Sequence, residues 1–104
     1  MINITIEKGK GSFVVEAEGH AEYAEAGKDI VCAAVSILLQ GLVGYLDELE
    51  EHYHCKAENG KFFLQAPLKD MEGALEFVRC SLNMLHTIYP ENVGVPYITG
   101  FNTD

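Results

Sequence analysis

Polar and apolar residues alternate from Ile2 to Glu7, with Ile2, Ile4 and Ile6 set against Asn3, Thr5 and Glu7. A period of two marks a strand with one buried face. Lys8-Gly9-Lys10-Gly11 reads as a turn, and alternation resumes over Ser12–Glu18 with Phe13, Val15 and Ala17 on one side. Two such runs around a Gly-containing turn predict a hairpin. From Asp29 the period lengthens. Apolar residues at 31, 34, 35, 38, 42, 45, 46 and 49 follow helical spacing and predict a helix over Ile30–Glu51 capped by Asp29. Alternation returns over His52–Glu58, then Asn59-Gly60, then Lys61–Ala66. Asn-Gly is a strong two-residue hairpin turn because both positions tolerate positive φ. A second helix is expected over Met71–Tyr89, capped by Asp70 and stopped by Pro90. The tail from Val93 to Ile98 contains Pro96, which limits it to an edge strand.

The order is strand-strand-helix twice, then a tail. It predicts an α+β fold: a mostly antiparallel sheet of about four strands with two long helices, in ββαββα order. At 104 residues a single domain over 1–104 is the default. Apolar residues make up 48%, enough for a core.

Charge narrows the partners. Seven Lys+Arg against sixteen Asp+Glu give a net charge of −9. Nucleic-acid binding rests on neutralising phosphates, so direct nucleic-acid contact is not expected, and a basic partner is attracted instead. The longest apolar run, Ile30–Val43, is interrupted by Ser36, Gln40 and Gly41, so no membrane span is expected. The first residues lack the basic region and apolar core of a signal peptide, and a cytoplasmic protein is the working expectation.

Cys32, Cys55 and Cys80 are widely spaced and form no CxxC pair, so neither a zinc ribbon nor a thioredoxin-type site is indicated. No metal site and no cofactor is expected. His52 and His54 share a strand face but lack a third ligand. Cys55 and Cys80 read as packing residues. Cys32 differs, because it falls in the first turn of the predicted helix. Free backbone N–H groups and the positive end of the helix dipole gather there and favour a thiolate. His20 closes the preceding strand, and the chain between them is long enough to fold the imidazole back onto the sulfur. Such a pair is an activated nucleophile; a buried apolar cysteine beside a solvated histidine is the plainer alternative. Asp29 is most simply the helix cap, with orientation of His20 as its second possible role. Its carboxylate beside Cys32 opposes thiolate formation unless it is turned to the cap or to His20. Ser36 lies one turn beyond Cys32 on the same face. The glycines at 19 and 27 bound a segment, Ala21–Lys28, that reads as a loop or a substrate lid. First-turn amides of the helix are the expected oxyanion donors.

Two stretches carry a resemblance: Gly19-His20-Ala21, and Gly27-x-Asp29-Ile30-Val31-Cys32-Ala33-Ala34-Val35-Ser36. Together they resemble the bacterial ribosomal-processing cysteine proteases. The resemblance implies a homodimeric endopeptidase that removes an N-terminal extension from a basic protein of the large ribosomal subunit, L twenty-seven. It implies Cys32 as nucleophile and His20 as base, with Asp29 and Ser36 at further motif positions. The competing readings are a non-catalytic acidic module that binds a basic ribosomal or phage protein, and a thiol hydrolase acting on a small ester or amide.

Overall fold

A computed structural model describes residues 1–25 and 28–100. The elements are β1 (Ile2–Lys8), β2 (Ser12–Gly19), α1 (Ile30–Glu48), β3 (His54–Glu58), β4 (Lys61–Pro67), α2 (Glu72–Ile88) and β5 (Tyr97–Gly100). The class is α+β, as the alternating and helical periods predict. The sheet has five strands rather than four, in the order β3-β4-β2-β1-β5. Four strands pair antiparallel, whereas β5 adds to β1 in parallel, with Thr5 opposite Tyr97.

Register explains which side chains are buried. Ile4 faces Ala17 and Ile6 faces Val15 across β1–β2. Val15 then faces Leu64, and Ala17 faces Phe62, across β2–β4. All of these are buried, in one core cluster with Val31, Val35, Leu39, Leu42 and Leu46 of α1 and Leu75, Val78 and Leu82 of α2. The helices therefore cover one face of the sheet. The opposite face, with Glu16, Glu18, Lys61 and Phe63, is exposed. By length and mean hydropathy α1 is long and apolar enough to cross a membrane. Its buried stripe in the shared core identifies it as a core helix instead.

Four local expectations are corrected. The first helix stops at Glu48, three residues before Glu51. Glu50 takes φ +56°, its N–H donates to the Asp47 carbonyl, and the Glu51 N–H donates to the Leu46 carbonyl. This is a Schellman ending, with a glutamate where glycine is usual. Asp70 does not cap α2: it takes φ +62° in the preceding turn, and the cap residue is Met71, which makes no side-chain cap bond. Cys55 points to the helix side, opposite Leu64, but β3 is the sheet edge and the helices do not reach over it, so Cys55 is exposed. Cys80 is exposed too, and its sulfur accepts from the Arg79 guanidinium at 3.3 Å.

The last turn of α1 carries Asp47 and Glu48. Asp47 accepts the Tyr53 hydroxyl at 2.7 Å, which ties the helix end to the segment entering β3. This bond pushes the Tyr53 phenol above its ordinary pKa, because its charged form would face a carboxylate.

Candidate active site

The end of β2, the start of α1 and the β3–β4 turn converge beside the edge of the core. Pairing of Glu18 with Lys61 brings the last residue of β2, Gly19, level with Gly60 of the Asn59-Gly60 turn. The Gly19 N–H donates to the Gly60 carbonyl at 2.9 Å. Gly19 takes φ +108°, and a β-carbon there would collide with the Met1 carbonyl oxygen, so only glycine fits. Gly19 is thus held in the sheet at the foot of the following loop. Gly27, at the far end of that loop, lies outside the described residues.

His20 follows Gly19 with its side chain exposed, while Cys32 is half-buried against the core in the first turn of α1. Both line a cavity of about 230 Å³ whose wall includes Val35, Ser36, Leu39, Asn59 and Gly60. Both also line an adjoining hollow of about 520 Å³, together with Glu22, Ala24, Asp29, Ala33, Ser36 and Asn59. Of the residues singled out by sequence, His20, Cys32 and Ser36 front both spaces, and Asp29 fronts the second.

Asp29 serves as the cap and as a brace for the loop. One oxygen accepts the Cys32 N–H at 2.8 Å. The other accepts the N–H groups of Tyr23 and Ala24 at 3.0 and 3.2 Å. Desolvation pushes the carboxyl pKa up, but backbone bonds from Cys32, Ala24, Tyr23 and Val31 outweigh it and hold the value below the ordinary carboxylate range. The same bonds occupy two of the amides expected as oxyanion donors. The Cys32 N–H is taken by the Asp29 carboxylate, and the Ala33 N–H donates to the Asp29 carbonyl at 3.1 Å. The Cys32 amide is therefore engaged by the cap, and the Ala33 amide by the helix's own hydrogen-bond ladder.

The loop is also tied to the C-terminal segment. The Asn92 side-chain amide donates to the carbonyl of buried Ala21 at 2.8 Å. The Tyr23 and Tyr89 rings meet edge-on with centroids 5.3 Å apart. Glu22 stands at φ +56°, a strained backbone for a non-glycine residue, on the wall of the larger hollow. In the sequence Asn59-Gly60 reads only as a turn, and no local pattern marks Glu22 or Asn92. The turn motif itself was the available signal. Its position beside His20 follows from strand pairing across the sheet.

The arrangement has relatives. The family model for cysteine protease Prp matches residues 1–94, a span that contains every residue just described. The chain belongs to the Prp cysteine protease family. A ribosomal processing cysteine protease Prp from Mycoplasma genitalium is 33% identical over 95 residues, covering 89% of this chain and 92% of the relative. Among solved structures, the essential ribosomal processing protease Prp from S. aureus with a covalently linked product peptide superposes with a TM-score of 0.77. It is 26% identical, and the match covers 97% of this chain and 100% of that one. The same S. aureus Prp with a substrate peptide gives a TM-score of 0.70 at the same identity and coverage. The chain is accordingly a cysteine protease with the Prp fold, and the reading as an interaction module without chemistry gives way.

Proposed function

We propose that this Prp protein is an endopeptidase in which Cys32 is the nucleophile and His20 its general base. The observation that carries the reading is that these two side chains front the same two cavities, in a chain whose family members are cysteine proteases. His20 takes the thiol proton, and the Cys32 sulfur attacks the scissile carbonyl carbon. As the carbon–nitrogen bond breaks, the imidazolium gives its proton to the leaving amine. The product is a thioester on Cys32. Water then loses a proton to neutral His20 and attacks the thioester, and the released thiolate recovers the proton from the imidazolium. Ser36, one turn along α1 on both walls, contacts the bound peptide near the sulfur, and the start of the expected lid, from Ala21 to Ala24, flanks it.

The substrate we propose is the N-terminal extension of the basic large-subunit ribosomal protein L twenty-seven, processed in the cytoplasm. Supporting this are the S. aureus relative, described as a ribosomal processing protease bound to a substrate peptide, and the net charge of −9. Glu22 on the larger hollow places negative charge beside the cleft, which favours a basic peptide.

We also propose a homodimer. The groove between α1 and α2 is lined by Ile37, Leu38, Tyr45 and Phe77, and Ile37 and Phe77 are 69% and 68% exposed. Exposed apolar side chains so grouped mark an interaction surface. The enzymatic reading is tested by mass spectrometry of the ribosomal protein after incubation with the wild type and with Cys32→Ala. Shortening by the wild type alone is expected, and equal shortening by both removes Cys32 as nucleophile.

A further inference from the structure

We infer that Gly60 is a positioning residue for His20, acting through the absence of a side chain at the tip of the β3–β4 hairpin. The inference rests on His20 being the base proposed above.

Three observations support it. A β-carbon on Gly60 would lie 2.8 Å from Nε2 of His20, 3.3 Å from Cε1 and 3.6 Å from Cδ2, so the nearest atoms to that empty position all belong to the imidazole. The Gly60 carbonyl accepts the N–H of Gly19, the residue that delivers His20 from the sheet. Gly60 also stands on the wall of the cavity that His20 and Cys32 line. One residue therefore binds the backbone just before His20 and leaves open the space that its ring occupies. Contact at 2.8 Å is closer than carbon and nitrogen tolerate, so an added methyl must move something. The imidazole is the free end of an exposed side chain and yields before the sheet does. A substitution at 60 thus displaces the ring while the sheet stays paired. Glycine has a second reason to be here, since φ is +79°. That reason concerns folding alone, and the two can be separated.

The test uses Gly60→Ala and Gly60→Asn. Asparagine is the side chain that best accepts positive φ, so it keeps the turn while still carrying the β-carbon. Each is made in the wild type and in a His20→Ala background. The readouts are kcat and KM for peptide cleavage, and the iodoacetamide rate of Cys32 against pH, followed by peptide mapping. Expected is a fall in kcat of about 100-fold with KM nearly unchanged, the scale of a catalytic group misplaced by about 1 Å. The pH profile of Cys32 alkylation should move to that of His20→Ala. In the His20→Ala background the same substitutions should add nothing. Wild-type kcat and alkylation in Gly60→Asn overturn the inference. So does an equal further loss in the His20→Ala background, which assigns Gly60 a structural role only. If His20→Ala itself leaves cleavage and alkylation unchanged, the base assignment fails first and takes this inference with it.

Discussion

The Asp29 carboxylate and the Cys32 backbone N–H meet at 2.8 Å, so the residue that starts α1 also fixes the residue proposed to do its chemistry. The same carboxylate holds the N–H groups of Tyr23 and Ala24 with its second oxygen. Loop and helix start are thereby joined at one side chain.

Asp29→Ala removes the cap and the brace together. A loss of about 1–2 kcal/mol is expected, the upper part of the range for a missing N-cap. Asp29→Asn keeps one acceptor oxygen and should lose less. Urea unfolding measures both. The folded carboxyl pKa lies below its unfolded value near 4, so its contribution is present above that value and fades as pH falls through the folded one. Between about pH 5 and 3 the wild-type midpoint should therefore fall more steeply than that of Asp29→Asn. Parallel curves would show that the carboxylate is not held as described.

Glu50→Gly should stabilise the fold. Glu50 occupies the left-handed position of the Schellman ending, where a non-glycine residue costs about 1–2 kcal/mol. It also adds negative charge where the helix dipole is already negative. Part of the gain is lost to the greater freedom of glycine in the unfolded chain. A net gain of up to about 1 kcal/mol by urea unfolding is expected, and a loss would refute the strain assignment.

Much of this was legible in the chain itself. The alternation in β1 and β2 and the Asn59-Gly60 turn report local geometry, and the folded pairing follows them. The first-turn position of Cys32 and the cap role of Asp29 were equally local. The misreadings have a common cause. The tail reads as an edge strand and β5 is one; the count of four leaves it out because its pairing with β1 is parallel and made from far along the chain. Alternation told which face Cys55 occupies, but it is silent on whether a helix extends over the sheet edge. Asp70 has the chemistry of a cap, yet the turn closed by the Met71 N–H on the Leu68 carbonyl sets it at positive φ. The nearness of Gly60 to His20 likewise depends on strand pairing rather than on local pattern.

Phe77→Glu tests the assembly. A charge in the apolar groove between α1 and α2 should turn a dimer into a monomer with little change in stability, because Phe77 is exposed in the single chain. Light scattering on a sizing column reads the mass. A wild-type monomer, or a dimer unaffected by the substitution, would place the interface elsewhere or remove it.

The most direct measurement is the cleavage rate of a peptide spanning the ribosomal extension, followed by mass spectrometry for the wild type, Cys32→Ala and His20→Ala. The account predicts two fragments with the wild type, a transient thioester on Cys32, and loss of turnover by at least about 1,000-fold in either variant. Undiminished cleavage by either variant would contradict it.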